Sequence, residues 1–260
     1  MKPLYNSIGV GYDTTRACDP DILTTLHKSL DAPINARILD LACGTGNYTI
    51  GLNGLGYQMQ GLDISDHMLS VARSKAPEIN WIQGNADTIP FAESTFDGCV
   101  CTLACHHFKD LSKVFSEVFR VMKPGRFVLM SSSHEQIRNY WLNRYFPNEM
   151  KKMMTYIPDI PQVIGAVLEA GFRLVRIEPF YITEQLQDNF LGARIERPEL
   201  YLNDCFRNGM SIFARYADPI SVEAGCQKLR EELDSGVCRQ FLKHYRSKIG
   251  EYYFLVVEKC

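Results

Sequence analysis

The sequence predicts an α/β fold built on a doubly wound, mainly parallel sheet. Three observations carry this. Short apolar runs of strand length recur along the 260 residues. Segments with helical spacing separate most of them. A glycine-bearing turn, Gly44-Thr45-Gly46, joins the first such run to the first such segment. Parallel neighbours need long, usually helical crossovers, so this alternation marks a parallel sheet.

The elements follow in order. Residues 37–42 form an apolar run stopped by the glycine turn, which reads as a buried strand. A short helix over 47–55 ends near Gly56. Residues 57–62 are strand-like and finish at Asp63. Ser65 suits the N-cap of a helix over 66–76, which Pro77 stops. Strands are predicted at 79–83 and 96–102. Leu111, Val114, Phe115, Val118 and Met122 keep helical spacing until Lys123-Pro124-Gly125 breaks it. A fifth strand covers 127–130. A helix over 161–170, ended by Gly171, precedes a strand over 172–177. Residues 184–250 read as mostly helical, for example at 221–233, and a last strand covers 252–257. The final two strands are therefore separated by a helical insertion.

Composition narrows the function. Hydrophobic residues at 46% and charged residues at 22% match a globular chain and exclude disorder, collagen and coiled coil. With 28 basic against 30 acidic residues, a broad polyanion-binding surface is not expected. Residues 184–250 balance at ten charges of each sign, so the insertion does not look like a nucleic-acid clamp. Nine cysteines, an odd number without a CxxC pair, argue against a disulfide framework. No signal-peptide pattern opens the chain, and the longest apolar runs are strand-sized. The expectation is a reduced, cytoplasmic protein without a membrane partner.

The stretch Asp40-Leu41-Ala42-Cys43-Gly44-Thr45-Gly46 carries the chemistry. It follows a buried strand and opens a helix, whose free N–H groups suit an anionic ligand group. Asp63 lies nineteen residues after Gly44 and ends the next strand, where an acid can accept both ribose hydroxyls. The dinucleotide fingerprint needs a third glycine, at Thr49 or Asn47 here, and neither fits. Asp40, inside the first strand, suits an ammonium near the loop. A nucleoside with an amino-acid tail satisfies both ends, and S-adenosylmethionine (SAM) is such a ligand.

Further along, Gly61-Leu62-Asp63-Ile64-Ser65, Gly84-Asn85-Ala86-Asp87-Thr88-Ile89-Pro90-Phe91, Ser94-Thr95-Phe96-Asp97 and Leu103-Ala104-Cys105-His106-His107-Phe108 follow in order. With Asp40–Gly46 they resemble the motifs of the class I SAM-dependent methyltransferases, in the small-molecule group that includes the ubiquinone/menaquinone enzymes. Ala42 stands where Gly is more usual, and Asn85 replaces the usual Asp. Residues 5–16 resemble a lid. The resemblance spans about residues 5–130. It implies a seven-stranded Rossmann-like sheet of order 3-2-1-4-5-7-6, with the seventh strand antiparallel. It implies lid helices over 1–30, a core over 31–183 plus 251–260, and an insertion over 184–250 that shapes the acceptor site.

It also implies SAM contacts from Tyr12, Arg16, Asp40, Ala42, Gly44, Thr45, Gly46, Asp63, Ile64, Met68, Asn85, Ala86 and Leu103, with S-adenosylhomocysteine as product. Met68 matches a position that packs on adenine, and Arg16 suits the SAM carboxylate. His106 and His107 are the candidate general bases. Cys105 is expected beside them at the mouth of the site. No metal is expected, since the spacing of Cys99, Cys101 and Cys105 is not that of a zinc site. Residues 134–220 hold thirteen of the 29 aromatics. Some of Tyr140, Trp141, Tyr145, Phe146, Tyr156, Phe180, Tyr181, Tyr201, Phe206, Phe213 and Tyr216 are expected to face a small-molecule methyl acceptor. The expected assembly is a monomer or homodimer. The rival readings are a SAM-binding protein without transferase activity and an RNA or protein methyltransferase.

Overall fold

The computed structural model describes residues 12–260. The part of the expected lid at 1–11 lies outside the described residues. Seven strands form one sheet: β1 Arg37–Leu41, β2 Gln58–Asp63, β3 Asn80–Gln83, β4 Phe96–Thr102, β5 Met122–Ser131, β6 Arg173–Phe180 and β7 Tyr252–Lys259. Their order is β3-β2-β1-β4-β5-β7-β6. Strands β1 to β5 pair in parallel, and β7 runs antiparallel to both β5 and β6. The order and the antiparallel last strand are those the resemblance implies.

Strand alternation divides the core between the two faces of the sheet. Ile38, Val100, Val128 and Val256 pack on one face, with Ile22 and Leu26 of the helix Pro20–Leu30. Leu39, Leu41, Cys99, Cys101, Phe127 and Leu255 pack on the other, with Phe115, Val118, Val163 and Val167. The helix Leu111–Val121 shows how one segment earns its place. Asp110 accepts from the Lys113 N–H and caps it, and Val114, Phe115, Val118 and Val121 turn one buried stripe to the sheet.

The structure departs from the sequence reading most in β5, in the stretch after it and in the insertion. β5 begins at Met122, not after Gly125. Pro124 and Gly125 sit inside it where the β4–β5 register shifts, and a bulge is where a sheet tolerates proline. The helices His134–Arg138 and Pro147–Met153 were not foreseen. Residues 184–197 contain turns rather than helix, and regular helices in the insertion are confined to Asp204–Asn208, Pro219–Asp234 and Val237–His244, with a π-helical turn at Ile212–Tyr216. Side-chain hydrogen bonds organise the first part: Trp141 Nε1 donates to Gly192 O at 3.1 Å, and the Tyr201 hydroxyl accepts from Gly192 N–H at 3.0 Å.

Most cap aromatics are core. Trp141, Phe146 and Tyr201 are fully buried and belong to the same cluster as Ile38 and Val100. Among the described residues, no helix is long and apolar enough to cross a membrane.

The turn after β1 owes its shape to Gly46. It caps the helix Asn47–Gly54 in the left-handed region at φ 76°, and a Cβ there would overlap the Trp81 indole, which Nε1 anchors to Ala76 O at 2.8 Å. Left-handed backbone costs an L-residue about 1–2 kcal/mol before any overlap. Gly46→Ala is therefore expected to lose at least about 2 kcal/mol in urea unfolding. Gly54→Ala, where a Cβ meets nothing within 4 Å, should be neutral or stabilising. Equal effects at the two positions would contradict this account of the turn.

Candidate active site

The site is built where β1, β2 and β4 end. Ala42, Gly44 and Leu103 all take positive φ there, 57°, 56° and 55°. Left-handed backbone at two non-glycine residues is held by its surroundings, and Leu103 N–H donates to Met130 O at 2.9 Å. The ends of β1 and β2 are tied through one carboxylate. Gly44 N–H donates to Asp63 Oδ2 at 2.9 Å, and Ser65 N–H donates to Oδ1 at 2.8 Å. Burial pushes the Asp63 carboxyl above its ordinary value, while the N–H groups of Ser65, Gly44 and Ile64 pull the other way.

A cavity of about 1270 Å³ opens beside this junction. Tyr12, Arg16, Ala42, Gly44, Asp63, Ile64, Met68, Asn85, Ala86 and Leu103 all line it, as do His106 and His107. Met68 is buried, with its Cε within 3.4 Å of where a Gly44 Cβ would stand. Asn85 is exposed, and its Oδ1 accepts from Asp87 N–H at 3.4 Å within the loop's own turn.

Asp40, Thr45 and Gly46, expected to contact SAM, are not among the residues lining the cavity. Thr45 is turned away to donate to Asp13 Oδ1 at 2.6 Å, and Gly46 is packed against Trp81. Asp40 lies behind the loop. Its Oδ2 accepts from Thr49 Oγ1 at 2.6 Å, while its Oδ1 is buried without a partner. Burial pushes this carboxyl up to about 7, against the Thr49 hydroxyl, with Asp63 adding to the rise. An orphaned acid oxygen behind a backbone turn suits a cationic group arriving at that turn. The residues present therefore fit a ligand with an ammonium at one end and a ribose at Asp63.

The turn after β4 supplies the next wall. The rings of His106 and His107 lie 3.9 Å apart at 49°. Desolvation holds His106 well below the usual imidazole value, with His107 and Arg16 adding to it. His107 is pushed down to about 4 by desolvation and then by the Arg215 charge. Both rings are neutral at physiological pH and able to accept a proton. Cys105 is not at the mouth: it is buried beneath the turn among Cys99, Cys101 and Phe115. All nine cysteines are free thiols. Among the described residues, no group of three or more His, Cys, Asp or Glu side chains is placed to hold a metal ion.

One decisive residue was not singled out from the sequence. Asp188, buried at 1% exposure, pairs with the Arg16 guanidinium through Nε and, at 3.0 Å, through Nη2. It also accepts from the Tyr48 hydroxyl at 3.0 Å and from Ala17 N–H at 3.4 Å. Arg16 Nη1 donates to the Tyr12 hydroxyl at 2.6 Å. On the other side of the 12–16 segment, Asp13 takes Thr45, Asn47 and Lys75. The segment is thus stitched to both the glycine turn and the insertion. A polar residue buried in an irregular stretch has no periodicity to announce it.

The far half of the cavity is built mainly by Ser131, Ser132, Met153, Tyr156, Ile157, Phe190, Leu191, Met210, Ile212 and Tyr216, with Tyr252 of β7. Of the aromatics expected to face an acceptor, Tyr156 and Tyr216 line the cavity, stacked at 4.0 Å and 24°. Tyr140, Trp141, Tyr145, Phe146, Phe180, Tyr181, Tyr201, Phe206 and Phe213 are not among the lining residues.

Asp188→Asn should strand the Arg16 charge in a buried setting. Breaking a buried pair by removing one partner costs about 3–5 kcal/mol. The expected result is a comparable loss of stability in denaturant unfolding, with faster proteolysis at residues 12–19. A loss below about 1 kcal/mol with unchanged proteolysis would show that the pair does not hold the segment.

Comparison with known proteins agrees with this geometry. A family model described as a methyltransferase domain matches residues 39–130. The chain is 38% identical over 177 residues to a demethylmenaquinone methyltransferase of Bacillus licheniformis, covering 58% of this chain and 76% of that relative. It is 34% identical over 167 residues to a demethylmenaquinone methyltransferase of Lactococcus lactis, covering 58% of this chain and 66% of the relative. Among solved structures, a candidate methyltransferase from an antibiotic biosynthesis pathway of Anabaena variabilis superposes with a TM-score of 0.85 at 29% identity, over 95% of this chain and 99% of that one. Motifs, sheet order and relatives converge: the chain belongs to the class I SAM-dependent methyltransferases.

Proposed function

We propose that the protein methylates a small acceptor with an apolar or aromatic body. The observation that carries this reading is the continuity of one cavity. It runs from the Gly44–Asp63 junction, past the Leu103–His107 turn, to the walls at 153–157 and 209–216. At about 1270 Å³ it exceeds the roughly 300–1,000 Å³ of an ordinary ligand pocket, as a site for two molecules should. The names of the relatives put a quinone-type ring first among acceptors to try.

SAM, when bound, supplies a methyl group on a sulfonium, ready for in-line displacement. This chain's part is placement and exclusion of water. Gly44 offers backbone to the amino-acid end, Asp63 accepts from the ribose, and Met68, Asn85 and Ala86 flank the base. Asp40 balances the ammonium from behind the turn. Holding donor and acceptor in one water-poor cavity supplies up to about 7–11 kcal/mol of barrier reduction. His106, neutral and facing the cavity, accepts a proton from an acceptor hydroxyl that must lose one.

Two outcomes test this. Asp63→Ala is expected to weaken SAM binding at least about tenfold by calorimetry, since it removes both the acceptor and the tie to Gly44. Unchanged affinity would refute the assignment. The second is the pH dependence of kcat at saturating SAM, with a hydroxylated acceptor. A base works only when deprotonated, so activity falls as pH drops through its value. Because burial lowers His106, the acid limb should lie below the ordinary imidazole value of 6.5. His106→Ala should lower kcat and abolish that limb. A limb that persists in His106→Ala would remove the base role.

A further inference from the structure

The cavity carries positive charge that no acid among the described residues pairs with. Arg215 and Lys109 both line it. Neither forms an ion pair with a carboxylate among the described residues, whereas Arg16 is already neutralised by Asp188. Asp110, next to Lys109, is committed to capping a helix through the Lys113 N–H. Among the described residues, the only acid in the lining is Asp63, at the opposite pole, with both oxygens engaged by backbone N–H groups. Residues 1–11 contain no Asp or Glu, so that segment supplies no counter-charge either.

Arg215 is also placed for recognition. It sits on the π-helical turn Ile212–Tyr216, a distortion common at functional sites. Its guanidinium lies 5.3 Å from the Tyr216 ring, the ring that stacks on Tyr156. Its charge acts on His107, which also lines the cavity. Ser132 also lines the cavity and is 1% exposed. The Arg215 guanidinium is exposed at the cavity wall, where it stays charged and accessible to a ligand, and a purely apolar acceptor would make no use of it.

We infer that the natural acceptor is an anion: an apolar body carrying a carboxylate-type group that the Arg215 guanidinium receives. Arginine suits this because its planar fork meets two oxygens at once. This rests on reading the far half of the cavity as the acceptor site.

The test is calorimetry with two probes of nearly equal shape, 2-naphthoate and 2-naphthamide, each with and without S-adenosylhomocysteine. Wild type is expected to bind the acid at least about tenfold tighter than the amide, a difference of about 1.4 kcal/mol. Arg215→Gln should erase that preference and leave S-adenosylhomocysteine affinity unchanged, and Arg215→Lys should keep part of it. Equal binding of the probes, binding of neither, or a preference that survives Arg215→Gln would overturn the inference. Failure to bind S-adenosylhomocysteine would instead strike the methyltransferase reading, and the probe preference remains readable without it.

Discussion

The hydrogen bond from Gly44 N–H to the Asp63 carboxylate is the constraint on which the rest of the site depends. It joins the loop after β1 to the end of β2 across 2.9 Å. Neighbouring parallel strands already end together, and the bond fixes how their loops diverge above the sheet. One acid therefore does two things. It shapes the glycine turn and presents oxygens to the cleft. Its raised pKa reflects the burial that this position requires. The crevice at the carboxyl ends of the strands is where open α/β sheets place ligands.

Around that junction, the protein spends its aromatic residues on rigidity more than on contact. Trp141 and Tyr201 meet edge to face at 5.1 Å in the core of the cap. They hold the 190–193 stretch by hydrogen bonds, and Phe190 and Leu191 in turn face the cavity. The 12–16 segment is fastened by charge instead, through Asp13 on one side and Arg16 with Asp188 on the other. Polar fastenings separate with less loss of apolar burial than a packed core would, which suits a segment lying over a ligand cleft.

The sheet and the cofactor pole were legible in the sequence because both rest on local signals. Strand periodicity gives the alternation, and the glycine turn followed by Asp63 gives the pole. Asp40, Thr45 and Gly46 belong to the same motif, yet they act from behind the turn, through Thr49, Asp13 and Trp81. Their distance from the cavity follows from which way the turn faces, and spacing alone does not contain that. Asp188 and Arg215 were missed for a different reason. Their importance comes from partners far along the chain, or from the lack of one, and only the tertiary structure reveals either. Cys105 looked reactive beside two histidines, but the turn carries it inward.

The most direct test of the account is a crystal structure with S-adenosylhomocysteine. The account predicts the ribose on Asp63, the amino-acid end over the Gly44 turn, and the sulfur facing the space between His106 and the 209–216 wall. A ligand bound elsewhere, or a sulfur turned away from that space, would contradict it.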